Sequence, residues 1–221
     1  SLPHDWSIEG DFSLDNPSTP GGGALPGGIG WYRKTFTLPE TDRGKVVYVD
    51  FDGVYRNSEV WINGHSLGFR PNGYVSFRYD LTPYLRYGSQ PNVIAVKADN
   101  SEQPNSRWYS GSGIYRNVWL VKVNPVHVDN WGTFVHDMRI SPEEATFSLE
   151  VRIRNSSEAD RDAEVSTSIY DDRNRVVTAP VTTLLRVPYT PCYDARMREA
   201  SVDHQFLIPN PKLWSPDSPS L

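Results

Sequence analysis

The chain has 221 residues, a formal net charge of −5, seven Trp, twelve Tyr and a single cysteine, Cys192. That length bounds it at one or two ordinary domains, and mild acidity without a basic stripe argues against nucleic acid as a partner. One cysteine excludes an internal disulfide framework and a Cys-based zinc site, leaving Cys192 as a passive thiol, and no apolar run is long enough for a membrane span.

In chain order, Leu2-Pro3-His4-Asp5-Trp6 is an extended, proline-punctuated start, and no apolar signal segment precedes it. A chain trimmed of its leader would look the same. Pro20 to Gly30 is glycine-rich but is no phosphate cradle, since no strand leads into it and no Gly-Lys-Ser/Thr follows. It reads either as a mobile loop or as a loop lining a cleft.

Strands are expected over Trp31–Leu38, Lys45–Asp52, Glu59–Ile62, His65–Phe69, Val75–Leu81 and Asn92–Ala98. Asn63-Gly64 marks a tight hairpin between the third and fourth. Asp50 and Asp52 share a strand face, which solvent exposure explains more cheaply than acid–base or metal chemistry.

The stretch from Asn105 to Leu120 draws most interest. Arg107, Trp108 and Tyr109 stand side by side, a Ser110-Gly111-Ser112-Gly113 hinge follows, and a strand is expected from Ile114 to Val123. An indole offers a flat apolar face to sugar C–H bonds, and a guanidinium offers fixed donors to hydroxyls. The plainer reading is a turn before a strand with its aromatics in the core.

Pro125 marks a change of texture. Beyond it, strands are expected over Thr146–Asn155, Glu164–Tyr170, Arg175–Thr178 and Val202–Ile208, with a turn at Asp172-Arg173-Asn174. Phe147, Leu149, Val151 and Ile153 form one face of the first, opposite Ser148, Glu150, Arg152 and Arg154. No helix of any length is expected, and short alternating strands of this kind predict antiparallel sandwiches. Pro209 to Leu221 reads as an unfinished end.

Catalytic signatures are missing. The five His are scattered, no Gly-x-Ser-x-Gly elbow occurs, and Glu143-Glu144 reads as exposed loop charge. Asn155-Ser156-Ser157 satisfies a glycosylation sequon, a pattern common by chance. By its own residues the chain does not look catalytic.

Five stretches in order resemble the N-terminal region of family 2 glycoside hydrolases, the β-galactosidase, β-glucuronidase and β-mannosidase group, most like a bacterial β-galactosidase. They are Leu2–Trp6, Gly30–Phe36, Val60–Gly64, Arg107–Val118 and Leu213–Asp217. The resemblance implies an all-β chain, with a jelly-roll sugar-binding domain over 1–124 and an immunoglobulin-like sandwich over 125–221, truncated before its last strand. It implies a catalytic (β/α)₈ barrel of the same polypeptide as partner, holding both glutamates of a retaining mechanism, so no catalytic residue is assigned here. Asp99, Asn100, Arg107, Trp108 and Tyr109 become the implied substrate-binding residues for a terminal β-glycoside. In related β-galactosidases a carboxylate from the equivalent loop contacts sugar or a cation; Arg107 stands here instead, so no metal and no cofactor is assigned. Homo-oligomers built through these accessory domains are common in the family, and a carbohydrate-degrading role implies a periplasmic or secreted bacterial protein. The alternative is a free-standing carbohydrate-binding module with a spacer domain, since fold alone does not settle function.

Overall fold

A computed structural model describes residues 1–191 and 195–219; Cys192 and the final Ser220-Leu221 lie outside that range. The chain divides into two compact units, 1–123 and 124–221. Among the described residues there is no α-helix, only short 3-10 turns between strands.

The first unit has seven strands: β1 (Gly28–Phe36), β2 (Val46–Phe51), β3 (Ser58–Ile62), β4 (His65–Arg70), β5 (Phe77–Asp80), β6 (Asn92–Asn100) and β7 (Val118–Val123). They form two antiparallel sheets, ordered β1-β6-β3-β4 and β5-β2-β7. Period-2 alternation builds the core. Val49 and Phe51 of one sheet meet Val60, Ile62, Val96 and Ala98 of the other, all essentially dry. Asn63 and Gly64 both have positive φ, 49° and 88°, as the two central residues of a type I′ hairpin require.

Asp50 and Asp52 are held by side chains instead of standing free in solvent. Arg78 grips Asp50 through two hydrogen bonds of 2.6 Å, and the Trp119 indole donates to Asp52 at 3.1 Å. The last strand begins at Val118, four residues later than expected. Ile114 is buried in the core, but Gly113 makes only an isolated bridge to Tyr55.

β1 and β7 each lack a second neighbour in their sheets. Beside them lies a cavity of about 520 Å³, lined by Tyr32 and Phe36 of β1, Phe51 of β2, Ile94 of β6, and Val118 and Leu120 of β7. Exposed Ser1 and Leu2 line it as well.

The second unit has five strands: β8 (Val126–Ile140), β9 (Glu144–Asn155), β10 (Arg161–Tyr170), β11 (Val176–Val187) and β12 (Glu199–Pro209). They form sheets β12-β9-β8 and β10-β11. Val151, Ile153, Val165 and Val187 make the core, and buried His204 spans Thr167 (2.9 Å) and Thr183 (3.1 Å). Ser148, expected to face outward, is itself buried. Asp172-Arg173-Asn174 does turn the chain between β10 and β11, with Asn174 at φ 59°.

β8 was not expected, and its irregularity explains why. Its pairing with β9 slips between Val128 and Thr133, and the extra residues Asp129–Gly132 form a bulge. Trp131 there adopts φ 54° and is 80% exposed. As an edge strand β8 also leaves both Phe134 and Val135 exposed, so period-2 alternation never appears. The bulge is pinned by Arg154, which binds Asp129 at 2.7 and 2.8 Å and Glu199 at 2.6 Å.

Asn155 of the apparent sequon is completely buried. Its amide donates to the carbonyls of Ala159 (2.8 Å) and Val187 (3.1 Å), while its oxygen accepts from Ser157. The residue is a structural tie between strands.

Candidate functional site

Strand register gathers the loops of the first unit at one end. Gly28, the first residue of β1, faces Asn100, the last of β6, and Phe51, the last of β2, faces Val118, the first of β7. The N-terminal residues, the glycine-rich loop and the 101–117 segment therefore meet there.

Asp5 is the hub. One carboxylate oxygen accepts from the backbone N–H groups of Ser7 (3.0 Å) and Ser112 (2.9 Å), and the other accepts from the Tyr109 phenol. The N–H groups of His4 and Trp6 donate to the carbonyls of Ile114 (2.8 Å) and Ser112 (3.0 Å), so the N-terminus runs antiparallel to 112–114. Burial, and then the Asp5 carboxylate, push the Tyr109 phenol far above its ordinary pKa. It stays a hydrogen-bond donor at any physiological pH.

Asn100 is buried and spent on the loop. Its amide donates to the Gly111 carbonyl (3.1 Å) and the Ser112 hydroxyl (2.8 Å), and its oxygen accepts from Asn105. Asp99, next along the strand, projects to the opposite face. There Ser101 donates to it from hydroxyl (2.5 Å) and backbone (3.1 Å), and Lys97 approaches to 3.4 Å. The Ser101 hydroxyl first, with Lys97 contributing, holds this carboxyl below the usual range.

Arg107 and Trp108 are exposed, the guanidinium lying 4.7 Å from the indole centroid. Trp108 is 67% exposed, which excludes the core reading for it, whereas Tyr109 is half-exposed and bonded to Asp5. Of the five implied binding residues, the structure thus places Arg107, Trp108 and Tyr109 on one accessible loop. Asn100 lies beneath them as a support, and Asp99 is turned away.

The glycine-rich loop is not loose. The Asn16 side chain donates to the Asp11 and Ala24 carbonyls, Ser18 donates to Leu25, and Gly23, at φ 91°, lies in van der Waals range of the Tyr109 ring. Gly113 is more tightly constrained. Its φ is 113°, it exchanges both backbone hydrogen bonds with Tyr55, and an added Cβ would fall 2.0 Å from the Tyr32 hydroxyl.

Two further aromatics adjoin the loop. Tyr55 donates to Asn105 at 3.3 Å, and Tyr74, 63% exposed, meets the Tyr55 ring edge-on at 5.3 Å. Sequence reasoning missed Asp5, Tyr55 and Tyr74 as site residues. Asp5 was already visible inside the Leu2–Trp6 motif, and Tyr74 follows an Asn-Gly turn signal at Asn72-Gly73. No group of three or more His, Cys, Asp or Glu is placed to hold a metal among the described residues. The chemistry available is recognition by an exposed indole face, a guanidinium and a phenol on a tied loop.

A family model described as the sugar binding domain of glycosyl hydrolases family 2 matches residues 13–124, and a second model of glycosyl hydrolases family 2 matches 133–221. The chain is 50% identical to Beta-galactosidase BoGH2A of Bacteroides ovatus, over all of this chain and 25% of that protein. It is 38% identical to a putative beta-glucuronidase of Formosa agariphila, over all of this chain and 20% of that protein. A solved glycosyl hydrolase family 2 member from Bacteroides cellulosilyticus superposes with a TM-score of 0.89 at 35% identity, covering 100% of this chain and 28% of that one. The chain spans about a quarter of the length of the relatives it matches.

Proposed function

The chain belongs to glycosyl hydrolase family 2, and from that premise we propose that it is the non-catalytic N-terminal part of a retaining exo-β-glycosidase, β-galactosidase-like in preference. In this reading the (β/α)₈ barrel of the same polypeptide carries both carboxylates, one as acid/base and one as nucleophile. The chain contributes recognition at the rim of the sugar pocket. Trp108 stacks on the apolar face of a terminal sugar, Arg107 donates to its hydroxyls, and the Tyr109 oxygen, whose own proton is given to Asp5, accepts from one of them. Asn100 and Asp5 hold the loop in place. The observation that carries the reading is that exposed Arg107 and Trp108 sit on a loop tied from below at Asn100, Asp5 and Ser112.

The test is hydrolysis of chromogenic β-galactoside, β-glucuronide and β-mannoside by residues 1–221 and by the full-length parent, side by side. Turnover by the parent alone, fastest on the β-galactoside, is the expected result. Turnover by residues 1–221 alone overturns it, and inactivity of both would move the chain to the class of free-standing carbohydrate-binding modules.

A further inference from the structure

Trp31 takes no part in the 107–109 loop, yet its surroundings are built. It stands on the outer face of the sheet β1-β6-β3-β4, because Tyr32 next to it packs against the core. Trp61 of β3 shares that face, and the two indoles stack with centroids 5.4 Å apart and 29° between their planes. Ala95, opposite Trp61 on the intervening β6, is small enough for the rings to meet above it. One face of the Trp31 ring is thus backed. The residue is nevertheless 62% exposed, so its other face is open.

Trp31 borders a cleft of about 300 Å³ beside β1, which it lines with Ser1, His4, Trp6, Gly30 and Tyr32. That is the size of a small-molecule site. His4 is fixed there, its ring nitrogens 3.1 Å from the Tyr32 hydroxyl and 3.1 Å from a Glu9 carboxylate oxygen. On the sheet side Lys97 is the cross-strand neighbour of Trp31, and its ammonium lies 3.2 Å from Glu59 and 3.4 Å from Asp99. This row decides what the open ring can hold. An anion would meet two carboxylates, and a cation stacked on the indole would meet Lys97. A protein laid over the face would take the paired charges out of water, a cost that pairing does not reliably recover. Sugar hydroxyls, which both donate and accept, keep every member of the row hydrogen-bonded, while the C–H face of the ring covers the indole.

We propose that Trp31, backed by Trp61 and flanked by the Glu59–Lys97–Asp99 row, is a stacking site for one pyranose ring of a neutral polysaccharide. It is a second carbohydrate site on the first unit, on the sheet's outer face, besides the 107–109 loop. The backing matters because an indole already held against a neighbour loses little freedom when a ligand stacks on it. The inference stands on the geometry of the first unit and does not depend on the glycosidase reading.

The experiment is affinity electrophoresis of the full-length parent through gels containing soluble β-1,4-galactan, hydroxyethylcellulose or, as the anionic control, polygalacturonate. All forms carry Trp108→Ala, so that binding at the loop does not mask the result. The expected result is retardation by a neutral polymer that Trp31→Ala weakens about tenfold, whereas Trp31→Tyr, which keeps a flat ring, stays within about threefold. Lys97→Met leaves the stack intact and should weaken retardation about threefold. Thermal midpoints of the variants check that each is folded. Equal retardation with and without Trp31→Ala, no retardation by either neutral polymer, or retardation by polygalacturonate alone overturns the proposal. Protection of Trp31 from hydroxyl-radical oxidation in the parent, with or without galactan, would assign its open face to a protein contact and overturn it as well. Retardation measures binding and not turnover, so an inactive parent that still shows Trp31-dependent retardation would overturn the function proposed above and leave this site standing.

Discussion

The phenol of Tyr109 donates its hydrogen bond to the carboxylate of Asp5, 104 positions away in the chain. That same carboxylate receives the backbone N–H of Ser112, so one short side chain fixes both ends of the 109–112 segment. Asp5→Ala removes an acceptor used by three donors and should cost about 2–3 kcal/mol in urea unfolding. Tyr109→Phe removes one bond and should cost about 1 kcal/mol. Equal costs for the two variants would remove Asp5 from its position as hub.

Trp108 makes no core contact that its exposure would allow to matter for stability. Trp108→Ala should leave the unfolding midpoint of residues 1–221 unchanged and lower kcat/KM of the full-length parent by roughly tenfold, about 1.4 kcal/mol of sugar contact. A variant parent with unaltered kcat/KM would exclude the indole from the sugar pocket.

Gly113 has no room for a methyl group. Gly113→Ala combines a positive φ with a clash against the Tyr32 hydroxyl, and should destabilise the chain by about 3 kcal/mol or more. Circular dichroism during thermal unfolding measures this directly, and a midpoint within a degree or so of wild type would show that the backbone relaxes there.

Asn155 should carry no glycan even in a host that modifies sequons, because its amide is buried and donates to two carbonyls. Intact-mass spectrometry decides this. Asn155→Ala strands those carbonyls and should cost about 2 kcal/mol.

The second unit should show acid sensitivity traceable to Asp129. Burial alone would raise that carboxyl, but the hydrogen bonds from Arg154 prevail and hold it below the usual range. With the folded-state pKa depressed, its stabilisation is complete above about pH 4, the ordinary Asp value, and disappears as pH falls through the folded pKa. Asp129→Asn should therefore be less stable than wild type at neutral pH and indistinguishable from it in strong acid. A stability difference that persists unchanged into strong acid would rule out the titration as its source.

The strands were legible wherever one face is wet and the other dry. β9 alternates as read from Val151 to Ile153, and Asn63-Gly64 announced its hairpin. β8 was illegible because its bulge breaks the period and its edge position leaves neighbours on both faces exposed. At the candidate site, aromatic and guanidinium residues beside a glycine hinge marked a loop that the structure leaves exposed. The support beneath that loop was hidden, since the partnership of Asp5 with Ser112 and Tyr109 has no local signature. Asp99 was grouped with Asn100 by the family resemblance, but successive strand residues face opposite ways and only Asn100 turns towards the loop.

The tie between Asp5 and residues 109–112 also sets an order of events. During synthesis, His4 to Ser7 can take up their places beside the 112–114 segment only once that segment has emerged, about a hundred residues later. Contacts of such sequence separation close late and slowly. The sheets of the first unit can pair before then, through the local β3–β4 hairpin above all, while His4 to Ser7 wait as an extended thread. The loop end held by Asp5 is thus the last part of the unit to become structured, and the exposed face of Arg107 and Trp108 acquires its fixed shape only when His4 to Ser7 have been recaptured.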